Sequence, residues 1–307
     1  MPEPPSPEQQ PLSSPEPWSI ARVLRFATED FEKRRFSSPR LDAELLLGHV
    51  LGVDRVRLIL DATRPLTEPE LQAYRELIKR RRRGEPVAYL RGQREFYGRV
   101  FRVDRRVLVP RPETELLVEV ALTRTRARSL YGRALDLCTG SGCVATTFAR
   151  ERRTWRVTGA DISEPALQVA RDNALRLGAI HNLDFVQGDL FEGVPPKARF
   201  ELVTANAPYI PHQDIAGLDS DVRDFEPKLA LDGGADGLVI IRRIVAQASA
   251  RLVPGGVLAL EVGYDQAPRV SELLHAAGFD AVQIQKDYAG HQRIVSAKSS
   301  STGNSTP

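Results

Sequence analysis

Apolar positions recur at helical spacing from Trp18 to Gly84. Ile20, Val23, Leu24 and Ala27 share one face, followed by Phe31. Pro39 suits a first helical turn with Ser38 as cap. Leu41, Leu45, Leu46 and Val50 form the next stripe, stopped by Gly52. Asp54 is placed to cap a short helix through Leu60, and Thr67-Glu68-Pro69-Glu70 reads as a capping box. Leu71, Tyr74, Leu77 and Ile78 then continue to Gly84, so the segment predicts a small helical bundle. From Glu85 to Pro110 the pattern shortens into β-type runs at 87–90, 95–97, 100–103 and 107–109, which predict one or two hairpins. Pro112 opens a helix with carboxylates in its first turn.

Beyond Gly132, strands and helices alternate. Strands are expected at 134–137, 155–160, 183–186, 201–205, 257–261, 281–285 and 292–297. Helices are expected at 144–150, 165–177, 238–252 and 267–277, with Pro254-Gly255-Gly256 as a stop. Alternation of this kind predicts a mainly parallel sheet covered on both faces.

Composition narrows the classes only moderately. The chain has 307 residues, enough for two domains, and a hydrophobic fraction of 42% supports a real core. A formal charge of +3 gives no argument for nucleic acid by itself. Cys138 and Cys143 sit in one segment without a second pair, so neither a disulfide framework nor a zinc site is expected. His212 and His291 have no partners at metal spacing. The proline-rich stretch 1–17 lacks an apolar core and arginine, and reads as a disordered tail, not a targeting signal. Residues 299–307 read as a second tail. No apolar run reaches membrane-spanning length, which makes a cytoplasmic protein the default expectation. The run Lys79-Arg80-Arg81-Arg82-Arg83 fits a solvated helix end that complements the dipole, or else a docking patch for an acidic partner or RNA.

Candidate chemistry collects at the expected strand ends. In an open α/β sheet, ligands bind beyond the carboxyl ends of the strands. Cys138-Thr139-Gly140-Ser141-Gly142, Asp161, Asp189-Leu190 and Asn206-Ala207-Pro208-Tyr209 all fall there. Gly140 and Gly142 let backbone approach a ligand, and Asp161 can accept from two ribose hydroxyls. Ala145 nominally completes a dinucleotide fingerprint, so NAD is not excluded at this point. The fourth strand end is more discriminating. Asn206 carries a carboxamide, Pro208 holds Ala207 extended, and Tyr209 offers a flat ring. Together they suit a planar amide or amino group, which hydride transfer does not need and nitrogen methylation does. Asp189 suits the adenine amino group, with a helix cap as the alternative for it and for Asp161, while Glu113 suits a helix cap first.

On these residues the chain resembles the class I S-adenosylmethionine-dependent methyltransferases, through D-L-C-T-G-S-G, Asp161, G-D-L-F and N-A-P-Y. Within them it is similar to the peptide chain release factor N5-glutamine methyltransferases of the PrmC/HemK type. That likeness runs over about residues 18–297 and is carried by P-V-A-Y-L-R-G-Q-R-E-F-Y-G (86–98), L-V-P-R-P-E-T-E (108–115) and E-P-K-L-A-L-D-G-G-A-D-G-L (226–238). The resemblance implies an α/β fold: a Rossmann-like class I methyltransferase sheet (111–298), a small all-α N-terminal domain (18–84) for partner docking and a β-hairpin linker (85–110). It implies S-adenosyl-L-methionine as cofactor, held by Cys138, Thr139, Gly140, Ser141, Gly142, Asp161, Asp189, Leu190 and Asn206. Asn206, Ala207, Pro208 and Tyr209 would be catalytic and would contact substrate, with Phe96, Arg111 and Glu113 walling the pocket. Class 1 peptide chain release factors are the implied partners of a monomer that keeps no stable nucleic acid or membrane association. One departure is Ala207, where the family usually has Pro; the backbone carbonyl it would contribute is retained. A nucleic-acid amino methyltransferase and a non-catalytic translation-factor binding protein are the competing expectations.

Overall fold

Ser19 and Asp54 begin helices as their residue types dictate. Ser19 Oγ accepts from Arg22 N and starts α1 (Ile20–Lys33), while Asp54 Oδ1 accepts from Arg57 N at 2.8 Å and starts α3 (Arg55–Leu60). Between them, α2 (Pro39–Leu51) closes on Gly52 in the left-handed conformation. The capping box is formed, with Thr67 N donating to Glu70 Oε2 at 2.8 Å, and opens α4 (Glu68–Arg82). The computed structural model describes residues 17–300, and these fall into two compact units divided after Leu90. Of the tails expected at 1–17 and 299–307, residues 1–16 and 301–307 lie outside the described residues.

The first unit packs Ile20, Val23, Ala27 and Phe31 of α1 against Leu46, Leu47, Leu71 and Tyr74. The buried face of α2 differs from the expected stripe. Leu41 is 39% exposed, whereas Asp42 and Glu44 are buried beside Ala43, Leu46 and Leu47. Ion pairs explain the swap. Asp42 meets Arg81 at 2.9 Å, and Glu44 is held between Arg40 and Arg55. The basic run is solvated in part: Lys79, Arg80 and Arg83 are exposed, Arg82 is half-buried and Arg81 is buried. Lys79, Arg80, Arg81 and Arg82 pair with Glu76, Glu85, Asp42 and Asp30, and the Arg81 guanidinium also lies 4.0 Å over the Phe36 ring.

The β-run expected at 87–90 is helical, as α5 (Val87–Arg91). A four-residue apolar run does not discriminate the two states, and here Pro86 O accepts from Tyr89 N and Leu90 N to start a turn of helix. A hairpin follows, β1 (Gln93–Phe96) with β2 (Arg99–Arg102). Tyr97 and Gly98 have φ of 52° and 66°, the signature of a two-residue turn with both residues left-handed. Val107-Leu108-Val109 forms no strand, because Val109 N donates to a side chain, Glu226 Oε2.

After α6 (Glu115–Arg124) come β3 (Arg133–Leu137), α7 (Cys143–Glu151), β4 (Arg156–Asp161), α8 (Glu164–Arg176), β5 (Leu183–Gln187) and β6 (Phe200–Ala205). Then follow α9 (Ser220–Arg223), α10 (Val239–Ala248), β7 (Leu252–Glu261), α11 (Ala267–Ala276), β8 (Phe279–Lys286) and β9 (Gln292–Ser299). The strands form one seven-stranded sheet in the order β5-β4-β3-β6-β7-β9-β8, with the first five parallel and β9 antiparallel to both of its neighbours, β7 and β8. Alternate strand residues feed opposite faces. Leu135 and Leu137 join Ile241, Ile244, Val270 and Leu274, while Ala134, Leu202 and Val257 join Phe148 and Trp155. Two boundaries differ from expectation. β7 absorbs Pro254-Gly255-Gly256 instead of starting after them, and Ser299 belongs to the sheet, its Oγ donating to Val253 O at 2.7 Å.

Candidate active site

Strand order reverses between β3 and β6, so their carboxyl ends splay apart and leave a crevice. A cavity of about 260 Å³ occupies that place, near the small end of ligand clefts. It is lined by Cys138, Thr139, Gly140, Ser141, Asp161, Asp189, Leu190, Asn206, Pro208 and Arg111, among others. Five separate segments of the chain thus meet at one site.

The backbone there is bent for close approach. Cys138 and Leu190, both non-glycine, adopt φ of 55° and 53°, beside Gly140 at 54°. Such conformations cost roughly 1–3 kcal/mol each and concentrate at ligand sites. Gly142, φ 75°, does not line the cavity. A Cβ there would sit 3.0 Å from Ala170 Cβ, so this glycine lets α7 pack on α8. Behind the loop, Asn173 is fully buried, donates to Ser141 O and Arg102 O and accepts from Arg102 N. It ties the glycine loop to β2.

Three carboxylates face this loop. Asp136 lies beneath it, 3% exposed, and accepts from the Thr139 and Thr204 hydroxyls at 2.6 and 2.7 Å. Burial nevertheless pushes its carboxyl up to about 6. Asp161 Oδ2 accepts from Gly140 N, and its Oδ1 from Ser163 N, both at 2.9 Å. Burial raises its pKa against these bonds. A carboxylate has about four acceptor positions, and the amides of Gly140, Ser163 and Ile162 do not fill them all. The cap of α8 is Ser163, not Asp161. Asp189 is paired with Arg243 of α10 at 2.7 Å through one oxygen. Cys138 and Cys143 are free thiols; burial raises both, Cys143 to about 12, which leaves them protonated.

At the end of β6, Asn206 Nδ2 donates to Thr114 Oγ1 at 3.1 Å. Neither Asn206 Oδ1 nor the Ala207 carbonyl accepts a hydrogen bond from the described residues. The loop beyond is braced from behind. Ile210 N donates to Leu231 O, Gly233 N to Ile210 O, and Gln266 Nε2 to Tyr209 O at 2.8 Å. Gly237 is required there, since a Cβ would lie 2.3 Å from Tyr209 O. Ala207 is 2% exposed, and Tyr209, half-buried with its phenol pushed up to about 12 by burial, is not in the cavity lining.

Two expected pocket walls stand elsewhere. Phe96 is 1% exposed and packs edge-on against Phe101, with Leu117 and Val118. The left-handed turn at Tyr97-Gly98 folds the hairpin so that this ring enters the core, not the cavity. Glu113 does not line the cavity either, because the single turn Pro112–Thr114 aims Thr114 inward. Arg111 does line it, and joins the buried Glu226 at 2.6 Å. Thr114 and Glu226 had no sequence signal beyond membership of the longer motif stretches, and Asn173, Arg243 and Gln266 had none. Among the described residues no group of His, Cys, Asp and Glu could hold a metal ion.

An open sheet that switches at β3 and β6, a glycine loop and an acidic second strand end are the arrangement of a class I methyltransferase. A family model described as a methyltransferase domain matches residues 134–224, and one described as the PrmC N-terminal domain matches residues 22–92. The release factor glutamine methyltransferase of Leptospira interrogans is 40% identical over 286 residues, covering 91% of this chain and 98% of that protein. That of Chlorobaculum tepidum is 43% identical over 278 residues, covering 88% and 94%. A solved protein-(glutamine-N5) methyltransferase (release factor-specific) from Alicyclobacillus acidocaldarius is 28% identical with TM-score 0.40, covering 62% of this chain and 94% of that one. The chain belongs to the release factor glutamine methyltransferase family.

Proposed function

We propose that the protein methylates the side-chain amide nitrogen, N5, of the glutamine in the GGQ motif of a peptide chain release factor, with S-adenosyl-L-methionine as donor. The observation that carries this reading is the pair of unpartnered carbonyl oxygens, Asn206 Oδ1 and Ala207 O, at the strand end beside the cavity. A primary amide presents two N–H groups in one plane, and two acceptors match them.

The cavity suits a nucleoside that carries a sulfonium. Gly140 permits close backbone approach, Asp161 keeps acceptor positions for ribose hydroxyls, and Asp189 keeps one oxygen for an amino group. The donor supplies an electrophilic methyl group on a positively charged sulfur. An amide nitrogen is a poor nucleophile because its lone pair is delocalised. The contribution of Asn206 and Ala207 is therefore to hold that nitrogen at near-attack distance and to stabilise positive charge as it builds. Pro208 stiffens the residue before it, and Tyr209 is anchored through its own carbonyl. The methylated amide releases its extra proton readily, so no side-chain base is required.

The test is one incubation with methyl-labelled donor, a release factor and total RNA. Label in the release factor, lost when its GGQ glutamine is replaced by alanine, supports the reading. Label in RNA would replace it by a nucleic-acid amino methyltransferase. Binding of donor with no transfer to either would indicate a binding protein.

A further inference from the structure

A methyl group passes in line from sulfur to nitrogen, so donor and acceptor approach the transferred carbon from opposite sides. The cavity takes up the carboxyl ends of β3, β4, β5 and β6 together with the segments 106–111 and 227–243, and among the described residues none beyond Arg243 lines it. The ends of β7, β9 and β8 continue the same sheet on the other side of β6. That half of the edge is left for the polymer that brings the nitrogen.

Strand direction decides what stands there. β9 runs antiparallel to β7 and to β8, so the turn 287–291 that joins β8 to β9 lies at the carboxyl end of β7, beside the loop that follows Glu261. Tyr264 of that loop is 65% exposed, and its ring centroid is 6.2 Å from the exposed His291 ring, edge to face. Tyr288, in the turn, is fully exposed. Their backbone is braced. Asp287 N donates to His291 O at 2.9 Å, His291 N to Asp287 Oδ1 at 2.8 Å and Arg293 Nε to Asp287 Oδ2 at 3.2 Å. Gln266 Oε1 accepts from Gly263 N at 2.9 Å, while its Nε2 donates to Tyr209 O, so the Tyr264 loop and the Asn206 loop share one support. An exposed tyrosine on braced backbone offers a large contact area and loses little freedom when a partner covers it.

The substrate needs such a surface. The two residues before the glutamine in GGQ have no side chains, and one primary amide offers few atoms to hold. Affinity must then come from parts of the polymer remote from the reacting nitrogen. β8 lies three strand spacings from β6, about 14 Å, which about four residues of extended chain cover. The charges beside the rings suit a polypeptide better than a phosphate backbone: Arg293 is engaged by Asp287, and Asp265 is an exposed carboxylate next to Tyr264.

We infer that Tyr264, Tyr288 and His291 form a docking ledge for the segment of the release factor that flanks its GGQ glutamine. This rests on the reading that the glutamine is methylated at Asn206.

The experiment measures the Kd of a release factor by biolayer interferometry, its KM and kcat with labelled donor, and donor affinity by calorimetry. It compares wild type with Tyr264→Ala, Tyr288→Ala, the double variant and Tyr131→Ala, whose tyrosine is 68% exposed at the opposite edge of the sheet, ahead of β3. Each ledge variant is expected to raise Kd and KM by about tenfold, the scale of an aromatic contact at the centre of an interface, and the double variant by more. Unchanged kcat and donor affinity would mark the loss as one of binding alone. Tyr131→Ala should match wild type. Wild-type Kd and KM in the double variant overturn the inference, as does an equal rise in Tyr131→Ala or a fall in kcat with KM unchanged. Competition by total RNA against the release factor that vanishes in the double variant would assign the ledge to nucleic acid and overturn it too. Ledge-dependent binding of the release factor without methyl transfer by wild type would remove the parent reading and leave the ledge standing.

Discussion

Asp136 permits a quantitative test of the ground beneath the glycine loop. It is 3% exposed, and burial is the largest cause of its shift from 3.8 to about 6. The sign follows from proton counting. Between pH 4 and 6 the native state keeps a proton that the unfolded chain has lost, so stability declines as pH rises through that window. A shift of about 2 units corresponds to about 3 kcal/mol as an upper bound. Asp136→Asn removes the titration but keeps the shape. It also disturbs the bonds from Thr139 and Thr204, a cost of roughly 1–2 kcal/mol that does not vary with pH. The stability difference, variant minus wild type, should therefore climb by up to about 3 kcal/mol from pH 4 to 6, whatever its starting offset. In melting temperature this is about 6–12 °C for a unit of this size. Urea denaturation of both proteins at pH 4, 5, 6 and 7 reads it directly. Parallel curves across the window would show that Asp136 ionises normally in the fold and that the loop does not rest on a strained carboxylate.

Three further outcomes are expected. Asn206→Ala should lower kcat by about 10²–10³-fold, as loss of one preorganised hydrogen-bonding group does, with donor affinity nearly unchanged in calorimetry; an unaltered turnover would remove the residue from the chemistry. Asp161→Ala strands the Gly140 and Ser163 amides as well as losing ribose acceptors, so donor affinity should weaken by at least about tenfold, and unaltered binding would exclude Asp161 from the site. Arg81→Ala leaves Asp42 charged and buried, and should destabilise the chain by about 3–5 kcal/mol in urea, against less than about 0.5 kcal/mol for Arg83→Ala; equal effects would refute the buried pairing.

The Ala207 departure is accommodated without reorganisation. Its side chain is buried and its carbonyl remains unpartnered, while Ile210, Tyr209 and Gly233 carry the bonds that hold the loop. Gln266 and the 231–237 segment brace the loop directly after it.

Local rules acted within a few residues, and what they control was readable in the letters: the Asp54 and Thr67 helix starts, the Gly52 stop, the alternation after Gly132 and the polar ends of β3, β4, β5 and β6. Those strand ends were enough to expect a ligand site, since a parallel sheet brings its carboxyl edges together by topology. Partner choice was not readable, because it is made over long separations by packing. Asn206 finds Thr114 across 92 residues, Arg111 finds Glu226 across 115, and Arg81 finds Asp42 across 39. The same holds for Phe96, whose aromatic ring suited a pocket wall equally well until a left-handed turn at Tyr97 directed it into the core. Sequence determined which groups arrive at the sheet edge; only the fold decided which way each carboxamide, hydroxyl and carboxylate faces once there, because those orientations are set by hydrogen-bond partners from distant segments of the chain.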